Sequence, residues 1–202
     1  MIKTIYFDFG NVIGFFDHWR ASKALAMYSD QPVDLIHEIL HGDHLLDDYE
    51  HGHIDTAEYI RQACERGRIR CTPEEFQKAF VEIFWTNPEV CSLIPRLKPR
   101  YRLVLASNTC DAHFTKFTEM FADTLHHLDE LGASHTLRAR KPNRAFYENA
   151  QRLANAEPAE CLFVDDRAVN IEAAERFGWK GILYVPDGTL VRKMRAAGVE
   201  IR

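Results

Sequence analysis

Residues 2–12, Ile-Lys-Thr-Ile-Tyr-Phe-Asp-Phe-Gly-Asn-Val, decide the fold. Through Phe9 the stretch is apolar, β-branched and aromatic, the composition of a buried strand, and it carries one carboxylate, Asp8, to its C-terminal end. Gly10 and Asn11 follow at once as a tight turn. A charge closing a buried strand is costly unless it is paired, metal-bound or reactive, and in open α/β sheets ligands sit beyond the carboxyl ends of the strands. The bland reading of Asp8 is a turn or helix-capping aspartate.

Outward from this strand, residues 15–95 read as an inserted helical unit made of broken amphipathic segments. Its best-marked helix starts at the cap Thr72, with Pro73 in the first turn and Glu75 three residues after the cap; Phe76, Ala79, Phe80, Ile83 and Phe84 form its apolar face. A second begins at Asp55, with Glu58 completing a capping box, and Asn87-Pro88 starts a third that carries Val90, Ile94 and Leu97. From residue 101 strands and helices alternate. Strands are predicted over 102–106 (ending at Ser107), 131–136, 161–164 (ending in Asp165-Asp166) and 181–185. Helices are predicted over 111–121, 143–154, 170–177 and 190–197. Strands separated by helices pair in parallel through crossovers, so the fold class is α/β with a parallel sheet.

Composition narrows the partners. The 202 residues carry 25 Lys and Arg against 30 Asp and Glu, a net charge of −5, which gives no basic field for nucleic acid. No apolar run approaches the roughly 18 residues of a membrane span, and no leader-like segment precedes the first strand; a soluble, cytoplasmic protein acting on a small partner is expected. Cys64, Cys71, Cys91, Cys110 and Cys161 show no metal-finger spacing and fit reduced thiols better than a disulfide framework.

Three strand ends bring one chemical set together: Asp8, Ser107-Asn108 and Asp165-Asp166, with Lys141 added from a loop. Clustered carboxylates repel unless a cation sits among them, and hard oxygen ligands suit Mg²⁺. A metal, a lysine and a hydroxyl together make a phosphate site, and an aspartate can attack phosphorus to give an aspartyl-phosphate. Taken singly, Asp165 and Asp166 read equally well as caps of the following helix, Ser107-Asn108-Thr109 as a cap cluster, and Lys141 as a solvated lysine.

Four motifs in order now resemble those of the haloacid dehalogenase superfamily: Phe-Asp8-Phe-Gly10-Asn-Val, Ala-Ser107-Asn108, Lys141-Pro142, and Val-Asp165-Asp166 followed by Asn170-Ile-Glu-Ala-Ala. Within it the Gly-Asn-Val first motif is similar to that of sugar-phosphate phosphatases such as the bacterial α-glucose-1-phosphate phosphatases. The resemblance implies a Rossmann-like three-layer core formed by residues 1–14 and 96–202, with a helical cap over 15–95. It also implies a Mg²⁺-dependent phosphomonoesterase acting on a small phosphorylated metabolite. Asp8 would be nucleophile and metal ligand, the Gly10 carbonyl and Asp166 further ligands, and Asp165 a ligand through water. Ser107 and Asn108 would hold phosphate oxygens, and Lys141 would contact both Asp8 and the phosphoryl group.

The chain departs from the pattern at Gly10, where many of these phosphatases carry an acid–base aspartate. Asp17 and His18 are the nearest candidates for the missing proton, and a good leaving group such as an anomeric sugar oxygen would need less help. Two rivals stand beside this reading: a 2-haloacid dehalogenase, which attacks carbon without a metal and is disfavoured by the Asp165-Asp166 pair, and a regulatory or binding module of the same fold with little turnover. The five histidines at 37, 41, 44, 51 and 53 are expected at polar surface or cap positions, and no other ligand completes a transition-metal site with them. Trp19, Trp85 and Phe15-Phe16 read as core or hinge packing, or else as stacking surface for a sugar. Arg138 and Arg140 read as solvated, with Arg140 able to reach a second anionic group of a substrate.

Overall fold

A computed structural model describes residues 1–42 and 44–201. In chain order the strands are β1 (Thr4–Phe7), β2 (Gly14–Phe16), β3 (Phe84–Thr86), β4 (Arg102–Ser107), β5 (Glu130–Ala133), β6 (Cys161–Asp165) and β7 (Lys180–Leu183). The helices are α1 (His18–Ala26), α2 (Val33–His37), α3 (His44–Glu50), α4 (Thr56–Gly67), α5 (Pro73–Val81), α6 (Pro88–Leu97), α7 (Asp111–Met120), α8 (Ala122–Leu125), α9 (Ser134–Leu137), α10 (Arg144–Gln151), α11 (Ala168–Phe177) and α12 (Leu190–Ala196). A π-helical turn, Glu38–Gly42, and a 3₁₀ turn, Pro158–Glu160, complete the described elements. No helix among the described residues is long and apolar enough to cross a membrane.

The parallel sheet runs β5-β4-β1-β6-β7, and register pairs Phe7 with Leu105 on one side and with Val164 on the other. Because side chains alternate along a strand, the sheet buries two different layers. Ile5, Phe7, Leu103, Leu105, Leu162 and Val164 pack with α6, α7 and α12, while Tyr6, Val104, Ala106 and Phe163 pack with α10 and α11. This is the Rossmann-like three-layer arrangement that the resemblance implied. The strand order turns at β1, so the ends of β1, β4 and β6 converge where α/β sheets bind ligands.

A third apolar cluster holds the helical region together: Leu25, Ile36, Leu40, Tyr49, Tyr59, Phe76 and Phe80 from α1 to α5. Thr72 forms the reciprocal capping box with Glu75 that the sequence predicts. Asp55 caps α4, but Glu58 turns its carboxylate to Arg61 and Gln62 instead of closing a box. Helix α6 begins where Asn87-Pro88 places it, and its Val90, Leu93, Ile94 and Leu97 join the sheet's cluster rather than that of α1 to α5.

Two features escape the sequence reading. Residues 14–16 and 84–86 form an antiparallel ribbon, β2–β3, at the two ends of the inserted helices. Three-residue strands are too short to show a period-2 pattern, and Phe84 is shared with the apolar rhythm of α5. The strand expected over 131–136 stops at Ala133, after which α9 begins. Its first residue, Ser134, is fully buried and is held by Thr109 and the Glu50 carbonyl.

Candidate active site

Each site residue is set in place by a strand end. Asp8 stands one residue beyond β1, where Phe9 N–H donates to its Oδ1 at 2.7 Å. Ser107 closes β4 and Asp165 closes β6, with Asp166 next. Lys141, 3 % exposed, enters from the loop before α10, across a cis bond to Pro142, and its Nζ lies 2.9 Å from Asp8 Oδ1 and 2.7 Å from Asp165 Oδ2. Both partners favour the ammonium and raise the Lys141 pKa although burial acts to lower it.

Three neighbours brace this set. The Asn108 carboxamide clamps the Lys141 backbone at both ends, donating to its carbonyl at 3.0 Å and accepting from its N–H at 2.8 Å. Asp165, fully buried, accepts from Arg167 N–H at 2.8 Å and from Asn170 Nδ2 at 2.9 Å, so it caps the turn into α11 while also holding the lysine. Asn11, in the left-handed region at φ 56, donates from Nδ2 to Asp166 Oδ2 at 3.0 Å. One Asn108 N–H and its side-chain oxygen thus engage the Lys141 backbone, which leaves its second Nδ2 hydrogen available. Ser107 Oγ has only a 3.4 Å contact to the Asn108 carbonyl and keeps its hydrogen-bonding capacity.

Carboxylate oxygens of Asp8, Asp165 and Asp166 all lie within 4.8 Å of one another. Three such charges against one ammonium leave a net −2 in a largely buried site. Burial, with Asp165 and Asp166 alongside, pushes the Asp8 carboxyl up despite Lys141, and burial raises Asp166 as well. That imbalance is what a divalent cation removes, and an all-oxygen donor set suits a hard ion such as Mg²⁺. The residues present fit the metal.

The carboxylates open into a cavity of about 230 Å³. Asp8, Gly10, Ser107, Asn108, Lys141 and Asp166 line it, with Phe9, Phe16, Phe84 and Phe117 as apolar walls. The helical region contributes His18, Leu46 and Glu50. Sequence reasoning missed Glu50, because nothing in the run Leu45-Leu46-Asp47-Asp48-Tyr49-Glu50 shows that the end of α3 turns onto the sheet. At Gly10 a Cβ would stand 2.8 Å from the Phe16 ring, so close approach, rather than a positive φ, keeps a side chain out.

Of the two candidate proton donors, Asp17 is spent on capping α1 by accepting from Trp19 N–H at 2.9 Å. His18 does reach the cavity, but burial lowers its pKa to about 4, so it is neutral at pH 7. It belongs to a buried ring stack: His18 lies 4.1 Å from His41, and His113 lies 4.2 Å from Phe80. His41, within the inserted helical region, is half-buried, and both its ring nitrogens are buried without a hydrogen-bond partner. His37 sits at its edge, stacked at 3.8 Å on the 38 %-exposed Trp19. No three histidines among the described residues converge on a metal-binding geometry.

Burial holds His41 down to about 2 and His113 to about 3, whereas unfolded histidine protonates near pH 6.5. The unfolded chain therefore binds more protons below pH 6.5, and stability falls as pH drops from there toward 4. Each buried histidine withholds up to about 2 kcal/mol at pH 5, from about 1.4 kcal/mol per pH unit. Thermal melts at pH 7.5 and 5.0 should show His41→Phe losing less on acidification than the wild type. Equal losses would place the acid sensitivity elsewhere.

The family of haloacid dehalogenase-like hydrolases matches residues 2–178. A curated D-ribitol-5-phosphate phosphatase from Bacteroides thetaiotaomicron is 26% identical over 189 residues, covering 89% of this chain and 90% of that protein. A HAD family enzyme from the same organism, solved with magnesium and inorganic phosphate, superposes with a TM-score of 0.82 at 20% identity, covering 93% of this chain and 96% of that one. A HAD-like family hydrolase from Porphyromonas gingivalis superposes with a TM-score of 0.82 at 25% identity, over 98% of both chains.

Proposed function

This chain belongs to the haloacid dehalogenase-like hydrolases, and on that premise we propose that it is a Mg²⁺-dependent phosphomonoesterase acting on a small sugar or polyol phosphate through Asp8. The observation that carries the reading is Lys141 Nζ placed between Asp8 and Asp165, beside a third carboxylate, at one end of a cavity sized for a small metabolite. The similarity to a D-ribitol-5-phosphate phosphatase over nine-tenths of both chains supports the substrate class.

In this reading Asp8, Asp165 and Asp166, with the Gly10 carbonyl, would hold the metal. The cation supplies charge neutralisation to the carboxylates and to the phosphoryl oxygens. An Asp8 carboxylate oxygen attacks phosphorus in line. The bond from phosphorus to the leaving oxygen breaks, and that oxygen takes a proton to depart as an alcohol. Water then attacks the aspartyl-phosphate, loses a proton, and releases inorganic phosphate and the free carboxylate. Lys141 stabilises the charge that gathers on the phosphoryl oxygens during attack and holds Asp8 ionised and oriented between steps. Ser107 Oγ donates to a phosphate oxygen, while Asn108 acts by fixing the Lys141 backbone and offers its own N–H. With Gly10 in place of a carboxyl, protonation of the leaving oxygen falls to water or to a substrate hydroxyl.

The helices α1 to α5 serve as the cap. The resemblance implies a cap over 15–95; within that span the β2–β3 ribbon joins α1 to α5 to the core, and α6 packs with the sheet's cluster.

Phosphate release from p-nitrophenyl phosphate tests the reading. Excess EDTA should abolish release and Mg²⁺ should restore it, while Ca²⁺, which accepts looser and higher coordination, should restore little. Full activity in EDTA would instead favour the metal-free dehalogenase chemistry.

A further inference from the structure

Glu50 and Arg140 sit in the same cavity as Asp8, and the chemistry of phosphate does not need them. Arg140 is shared between two carboxylates of the helical region, Asp47 and Glu50, with Nη2 2.7 Å from Glu50 Oε2. Its charge is thereby balanced, so Arg140 is not the second anion site that its place beside Lys141 suggested. Burial and the Asp8 charge push the Glu50 carboxyl up to about 7, while the charges of Lys141 and Arg167 act to lower it.

The pair is close in charge but not aligned as a hydrogen bond. Glu50 Oε2 and Arg140 Nε are both buried, and neither has a hydrogen-bond partner. An acceptor held by a charge contact alone and a donor with no partner, on two residues lining one cavity, are costly unless something enters to meet them. Glu50 is 9 % exposed and its frame is fixed. Ser134 Oγ donates to the Glu50 carbonyl at 2.7 Å, the neighbouring Tyr49 hydroxyl accepts from Ala112 N–H at 3.0 Å, and Arg138 binds the Gly52 carbonyl. The end of α3 is therefore anchored on the core at a set position relative to Asp8.

We propose that Glu50 and Arg140 form a diol-reading subsite, in which one hydroxyl of the leaving group donates to Glu50 Oε2 and its neighbour accepts from Arg140 Nε. A vicinal diol supplies both partners, whereas an alkyl chain leaves both groups desolvated and unpaired. A carboxylate here also disfavours further negative charge, so the selected class is the monophosphate of a polyol or sugar. The inference rests on the phosphatase reading above and deepens it.

The test compares kcat/KM for ribitol 5-phosphate, n-pentyl phosphate and p-nitrophenyl phosphate, all with Mg²⁺. The wild type should prefer the pentitol ester over its hydroxyl-free match by about 10- to 100-fold, the range for hydrogen bonds to charged groups. Glu50→Met should reduce that preference to within about threefold, and Glu50→Gln, which keeps an acceptor oxygen, should retain part of it. Turnover of p-nitrophenyl phosphate should fall far less than that of the pentitol ester. Equal losses on all three esters would mean that Glu50 only supports the fold, which overturns the subsite. A wild type that hydrolyses p-nitrophenyl phosphate without preferring the pentitol ester overturns the subsite and leaves the phosphatase reading standing. A wild type inert toward every ester overturns both.

Discussion

Asp8→Asn should lower phosphatase turnover by at least about 10³-fold while leaving the protein folded, because the amide keeps the shape of the carboxylate but is a poor nucleophile and a weak metal ligand. The local frame survives the change: the Asn oxygen still accepts from Phe9 N–H, and Lys141 keeps Asp165 as a partner at 2.7 Å. Stability should hold or rise without metal. The wild-type site confines Asp8, Asp165 and Asp166 around one ammonium, and the substitution removes one of the crowded charges. Mg²⁺ should therefore raise the melting temperature of Asp8→Asn less than that of the wild type. A folded variant that keeps more than a few per cent of wild-type turnover would remove Asp8 from the nucleophile role.

The parts of this molecule that the sequence made legible are those where one residue type is tied to one backbone event. Asp8 at the close of an apolar strand, Thr72 with Glu75, and Pro88 at a helix start each carry a local physical reason, and the elements stand where those reasons put them. The parallel pairing follows from the alternation of strands and helices, though the order β5-β4-β1-β6-β7 does not. What was illegible depends on contacts between distant segments. The β2–β3 ribbon pairs residues some seventy positions apart in strands too short to announce themselves. The burial of His41 is settled by its stack on His18, and no spacing within α2 and the turn after it encodes that partner. Glu50 reaches the cavity only because Ser134, more than eighty residues later, holds its carbonyl. Asn108 shows the same limit in the chemistry, since its motif position marks it for phosphate and says nothing of the clamp its carboxamide makes on the Lys141 backbone.

Lys141→Ala should be costly in two separable ways. Among the described residues the ammonium is the one cation in contact with both Asp8 and Asp165, so its loss leaves three carboxylates within 4.8 Å without the charge that touches two of them. Removing one partner of a buried ion pair costs about 3–5 kcal/mol, and here two pairs lose the same partner. Mg²⁺ can replace part of that missing charge, so the melting temperature of the variant should depend on Mg²⁺ more steeply than that of the wild type. Activity should not recover in parallel. A metal restores neutrality, but it does not restore the donor that follows charge onto the phosphoryl oxygens, and loss of one such donor costs on the order of 10²–10³ in kcat. Lys141→Arg should rescue little. Nζ is enclosed 5.2 Å from the Phe163 ring centroid and 5.9 Å from that of Phe146, and the planar fork of arginine is larger than the ammonium it would replace. Melting curves with and without Mg²⁺, set beside kcat and inhibition by inorganic phosphate at saturating Mg²⁺, separate the two effects. Unchanged kinetics in the alanine variant would show that the lysine holds the carboxylates together without taking part in the reaction.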